Sequence, residues 1–421
     1  MDFKVRIPHI KSPRFLLWFS LFFSIMSETL ISMKIIPDSS IVKGIQYVVI
    51  LIPMGVNCLN LLLQEQRYYK KILFKEELKT ILYLVLLLAI LSCFKSLSAN
   101  NFTFESIMQL IQIVLPFLFA YLVINLLKPK QIEGFMKFSL ILTIVGYIYE
   151  TGIETFTLTN FLQMSFFSSY SAFENSTYAE IASGLAAYFI YNRKKTPVFA
   201  VLSIILNVLI FKRVLVLMLF MLLIISLMGK EGEYIKKRTL NIVTVAWCSI
   251  IFLTYFSYQK EVVSWINSVV RVDLVSFTMS RIYRLWYLYE QGFSSYGLGS
   301  TTVFIESRQL SYLGHEMEMD FIRILFELGP IAIIAVVYSY LKITRRNKYA
   351  FVLIFMCFVN LWMSNGLVRY WGWTMRIITI ALINNYDVRK NNAKLKKQSY
   401  RANIKKIRWL NGKNINHNSN L

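Results

Sequence analysis

Apolar runs of about twenty residues recur from Phe15 to Ile383, and they limit what this chain can become. A hydrocarbon core about 30 Å thick is crossed by roughly 20 apolar residues in a helix. Inside that core each segment has to satisfy its own backbone N–H and C=O groups, which a helix does. The period-two alternation that a membrane β-barrel needs is absent from the sequence. With 56% hydrophobic and 16% charged residues and a mean hydropathy of +0.51, the chain has too little charge to coat a soluble surface. The expected fold class is an all-α polytopic integral membrane protein with about twelve transmembrane helices. They fall near 15–36, 41–63, 80–94, 105–127, 134–150, 178–191, 197–211, 214–228, 239–258, 319–341, 349–365 and 371–384.

The net charge of +23 does not point to nucleic acid, because the basic residues sit in short loops and a tail rather than on one folded patch. Lysine and arginine in short loops set orientation. With the N-terminus inside, the inner segments carry Lys4, Arg6, Lys11 and Arg14, then Arg67 to Lys79, then Lys128, Lys130 and Lys137, then Arg193 to Lys195. They go on with Lys230 to Arg238, Lys342 to Lys348 and a run after Asp387, so that every inner segment is basic. Both termini are therefore expected in the cytoplasm. Residues 1–386 form the transmembrane domain, and 387–421 a basic, Asn-rich tail that is disordered or lies on anionic headgroups. The basic N-terminus before an apolar run lacks a small-residue cleavage site, which predicts an uncleaved first helix. Cys58, Cys93, Cys248 and Cys357 lie in or beside apolar segments without a Cys-x-x-Cys pair. They read as small hydrophobes rather than as disulfide or metal ligands.

Two outer segments are long. One covers about 151–177. The other is an extracytoplasmic loop of about 259–317 between helices 9 and 10, with an amphipathic stretch from Trp265 to Gln291 and the turn Ser295-Tyr296-Gly297-Leu298-Gly299. Long loops on one face of a bundle usually carry function. The informative charges are those that the topology rule disfavours. Lys212 and Arg213 lie between two apolar runs at the outer face, where a turn needs no cation. Arg281 and Arg284 are three apart and share a helical face, either toward a ligand or toward lipid headgroups. Arg369 starts the last helix, and Arg376 lies about two turns deeper, where a cation calls for a polar cavity or an acidic partner such as Glu28. His315 and Glu318 are three apart in Gly314-His315-Glu316-Met317-Glu318-Met319-Asp320, where the bland reading is acids favoured by a helix N-terminus.

Several outer arginines with a base candidate beside them suit an anionic diphosphate leaving group and a hydroxyl nucleophile. Guanidinium forks match phosphate oxygens and stay charged, and His or Glu can accept the hydroxyl proton. The sequence has no Walker loop, no His/Cys metal pattern and no dinucleotide fingerprint, so no cofactor is expected.

At these residues the chain resembles the O-antigen and capsular polysaccharide polymerase (Wzy-type) family, within the O-antigen ligase-like superfamily. Four features in order carry the resemblance: Arg213 between two apolar helices, the Arg-x10-Gly spacing from Arg281 to Gly292, then Gly297-Leu298-Gly299, then Glu327-Leu328-Gly329 leading into an apolar run. They cover roughly residues 205–340, and the rest agrees in topology alone. Where family members often carry a His, nine residues before Glu-x-Gly, this chain has Glu318, and His315 lies one turn earlier.

The resemblance implies a bacterial cytoplasmic-membrane glycosyltransferase whose partners are an undecaprenyl-diphosphate-linked oligosaccharide, membrane lipid, a flippase and a chain-length regulator. Arg213, Arg281, Arg284, Arg369 and Arg376 would bind the diphosphate, and His315 or Glu318 would deprotonate the acceptor. Gly292, Gly297 and Gly299 would set the loop geometry. Phe166, Phe167, Tyr170, Trp286 and Tyr289 would stack on sugars or anchor the membrane interface. The alternatives are an O-antigen ligase-like transferase, a lipid-linked oligosaccharide flippase and a non-enzymatic scaffold. A flippase would spread its cations over both halves, whereas here they gather in the second.

Overall fold

The apolar runs become helices throughout. The computed structural model describes residues 13–32, 35–37, 40–68, 72–164, 172–229, 232–270, 275, 278, 281–308 and 317–384, and it contains helices and no strand among them. The first five helices are α1 Pro13–Ser32, α2 Ser40–Tyr68, α3 Lys75–Ser98, α4 Phe104–Leu126 and α5 Pro129–Thr151. After the short α6 Leu158–Leu162 come α7 Ser176–Tyr191, α8 Pro197–Ile210, α9 Arg213–Leu227 and α10 Lys237–Ser257. The long loop folds into α11 Lys260–Val270, α12 Arg281–Glu290 and α13 Ser300–Ser307. The chain then continues through α14 Asp320–Leu328, α15 Pro330–Ile343, α16 Lys348–Met363 and α17, residues 370–384.

Five of these helices, within α2, α3, α4, α5 and α10, are long and apolar enough to cross a membrane. The outer helices show their apolar side chains to the surroundings. On α3, Leu82, Leu86, Ile90, Phe94 and Leu97 recur at helical spacing and are exposed, as are Ile242, Val245, Leu253 and Phe256 on α10. A water-facing helix would carry polar residues there, so these faces are built for lipid.

The centre of the bundle is α7. All its residues from Tyr178 to Ile190 are buried, between α5, α8 and α9 and against α17. Small residues permit this. Ala179, Ala182, Ser183, Gly184, Ala186 and Ala187 let neighbouring backbones approach closely. A Cβ on Gly184 would lie 2.8 Å from the Met375 Cβ, and one on Gly372 would lie 2.9 Å from the Glu180 Cβ. The crossing of α7 and α17 therefore requires glycine on both helices.

The expected tenth span, 319–341, is two helices rather than one. Pro330 has no N–H and excludes α conformation from the residue before it. Gly329 takes φ +85°, ψ −174°, a region open essentially to glycine alone. The helix stops and restarts there, and the Ser295 hydroxyl donates to the freed Glu327 carbonyl at 2.6 Å.

Candidate active site

Polar and charged side chains gather at the end of the bundle that bears α11 to α13, in two groups. The buried group is centred on Glu180, near the start of α7. Lys212 Nζ lies 3.1 Å from Glu180 Oε1, and Asn360 Nδ2 donates to the same oxygen at 2.9 Å. An Arg376 terminal nitrogen donates to Glu180 Oε2 at 2.5 Å and is 2.6 Å from the Ser183 hydroxyl. The guanidinium also sits 5.4 Å from the Trp373 ring centre, a cation–π distance. Beside this group, Asp320 Oδ2 accepts the Gly366 and Leu367 backbone N–H groups at 2.6 and 2.7 Å and so fixes the α16–α17 turn. Asp320 also pairs with Arg323 at 2.8 Å.

The second group is more open. Arg281 Nε donates to Glu318 Oε2, and Arg284 Nη1 approaches Glu318 Oε1 at 3.4 Å. The side chains of Arg281, Arg284 and Glu318 keep 18%, 17% and 29% of their exposure. The two arginines share a face of α12 because they are one turn apart, and α12 is held by Ile282, Leu285 and Leu288, all fully buried. Burial raises the Glu318 carboxyl pKa, but the charge and hydrogen bond of Arg281, and then those of Arg284, outweigh it and hold the group below its ordinary value. Met319, the next residue, is one of four non-glycine residues with positive φ among those described, at +72°. Met319 is the N-cap of α14, and its left-handed backbone turns the chain into that helix.

Two of the sequence motifs meet. The Glu327 carboxylate accepts the Gly299 N–H at 2.8 Å, the Thr301 N–H at 3.0 Å and the Thr301 hydroxyl at 2.5 Å. The acid of Glu327-Leu328-Gly329 thereby caps α13 directly behind Gly297-Leu298-Gly299. The glycines are needed because the loop lies flat on α3 and α4. Gly297 has φ +125° and Gly299 φ +79°, and a Cβ on either would strike Ser92 or Glu105 at 2.5 and 2.8 Å. Leu298 N–H donates to the Ser92 hydroxyl, and Ser106 donates to the Leu298 carbonyl. Gly292 has φ +60° with open space around it, so its role is the turn alone. A cleft of ≈ 300 Å³ opens beside this loop, lined by Phe94, Lys95, Ser98, Ser294 and Ser295 among others.

The remaining predicted residues divide. Arg281, Arg284 and Glu318 come together. Arg376 belongs to the buried Glu180 group. Arg213 starts α9, which packs on α7 and α16, and its neighbour Lys212 is the residue that reaches Glu180. Arg369 is partly exposed in the α16–α17 turn. His315, Glu316, Phe166, Phe167 and Tyr170 lie outside the described residues, as does the Glu28 side chain. Trp286 and Tyr289 are held by protein groups: Trp286 Nε1 donates to the Tyr258 carbonyl at 2.6 Å, and Tyr289 pairs with the Tyr255 hydroxyl. Sequence reasoning missed Glu180 and Asn360. The signal for Glu180 was present, since a lone acid within an apolar span needs a partner. Among the described residues no group of His, Cys, Asp and Glu could hold a metal ion. Comparison with family models, curated proteins and solved structures found no match for the chain.

Proposed function

We propose that the chain is a polysaccharide polymerase of the cytoplasmic membrane of a bacterium. It would have about twelve spans, both termini inside and residues 259–317 outside. The donor is a growing glycan on undecaprenyl diphosphate, and the acceptor is a hydroxyl of a new lipid-linked unit. The acceptor oxygen bonds to the donor anomeric carbon while the bond from that carbon to the phosphate oxygen breaks. The diphosphate leaves with the electron pair, and the hydroxyl proton passes to His315 or Glu318. The observation that carries the reading is the pair Arg281 and Arg284 converging on one carboxylate at a partly open end of the bundle. Two guanidiniums so placed match the oxygens of a diphosphate and stabilise the charge that develops on it.

The test is analysis of the cell's lipid-linked glycans after deletion of the gene. Single repeat units accumulating on lipid support the polymerase. Long lipid-linked chains that are not passed on would make the protein a ligase, and loss of outward-facing units would make it a flippase. Unchanged glycans would overturn all three.

A further inference from the structure

The Glu318 carboxylate binds the two arginines by the geometry expected of a phosphate ligand, one oxygen to each guanidinium. We infer that Glu318 is a resident counter-ion, which closes the Arg281–Arg284 site until a diphosphate displaces it, and is not the base that receives the acceptor proton. The inference rests on the polymerase reading for the identity of the incoming anion.

Four observations support it. A carboxylate clamped by two cations is a poor proton acceptor, since a general base works best with a pKa near the working pH, and Glu318 is held below its ordinary value. Glu318 is also the most exposed member of its group at 29%, against 18% and 17% for the arginines. The carboxylate is therefore the side of the pair most accessible to an incoming anion. Finally, Arg281 engages Glu318 through Nε, and an arriving diphosphate offers more acceptor oxygens than one carboxylate does. Glu318 also sits on a different element from the arginines, one residue before the positive-φ Met319. A change of backbone there moves the carboxylate without disturbing α12.

An internal anion competes with an external one, so removing it should tighten anion binding. The experiment titrates inorganic pyrophosphate into the purified full-length protein in phosphatidylcholine nanodiscs and reads the heat of binding. Glu318→Gln should bind pyrophosphate up to about fivefold more tightly than wild type, the factor that corresponds to about 1 kcal/mol of lost competition. Glu318→Asp keeps the charge but shortens the reach by one methylene, and it should show a smaller gain. It preserves the test if Glu318→Gln folds poorly. Arg281→Ala should abolish the response. Equal or weaker binding in both Glu318 variants overturns the inference. So does competition by phosphatidylglycerol nanodiscs at equal strength, which would make the occupant an ordinary lipid headgroup. Failure of the polymerase reading looks different: the affinity gain would persist while gene deletion left lipid-linked glycans unchanged.

Discussion

Glu180 and Glu318 each hold two cations, yet the two groups differ in what they can exchange. Glu180 is 1% exposed, and both its oxygens are taken by Lys212, Asn360 and Arg376. Glu318 is 29% exposed and has no partners beyond its two arginines among the described residues. A buried pair is expensive to assemble and more expensive to break, because removing one member leaves an uncompensated charge. A half-open pair costs little to separate, since water and other anions can replace either member. The same side-chain chemistry therefore fixes architecture at Glu180, where α7, α9, α16 and α17 are tied together, and leaves a partly open ion-pair cluster at Glu318.

The largest effect should come from the closed group. Glu180→Gln strands Lys212 and Arg376 in the bundle and should cost about 3–5 kcal/mol, read as lost yield and a lowered melting temperature in detergent. Wild-type melting for this variant would remove the architectural role and, with it, the contrast between the two groups.

Arg281 should behave in the opposite way, with activity falling and stability held. On the polymerase proposal, Arg281→Ala should lower polymer formation on the order of 100- to 1000-fold at equal protein level. Arg281→Lys should be nearly as poor, because lysine keeps the charge and loses the planar fork. Near-normal polymer from Arg281→Lys would leave Arg281 only a contact with lipid headgroups.

How much of this was legible follows from the period of each signal. Apolar runs placed the helices, since this signal needs only local sequence. Arg281 and Arg284 were legible as a pair because one helical turn separates them. The pairing of Glu180 with Arg376 was not, because it joins residues far apart in the chain and nothing local names the partner. The break at Gly329 was visible as Gly-Pro, but the apolar run on both sides outweighed it. The motifs at Gly297-Leu298-Gly299 and Glu327-Leu328-Gly329 were seen separately. Only the fold shows that one caps the other.

That junction gives an effect of intermediate size. Gly299→Ala places a Cβ at φ +79° and within 2.8 Å of the Glu105 side chain. The strained backbone alone should cost about 1–3 kcal/mol. The Gly299 and Thr301 N–H groups donate to different oxygens of Glu327, so Glu327→Gln leaves one of them facing a donor, at a comparable cost of about 1–3 kcal/mol. Both should loosen the loop carrying Ser294 and Ser295, read as faster proteolysis there. Intact resistance in both variants would separate this loop from the site geometry.

The smallest effect concerns pH. Glu318 has its carboxyl pKa held below the ordinary 4.5, because the attraction of Arg281 and Arg284 outweighs burial. A group depressed in the folded state contributes stability above its unfolded value and loses it as pH falls through the folded value. Wild type should therefore melt slightly above Glu318→Gln at neutral pH, with the gap closing progressively below about pH 4.5. Because Glu318 is partly open to water, the gap should correspond to about 1 kcal/mol or less, and it should shrink with salt, which screens exposed charges. Glu180 provides the control within the same molecule, since its closed group should resist salt over the same range. A gap that survived high salt would make Glu318 as closed as Glu180, and the distinction between an exchangeable and a fixed carboxylate would fail.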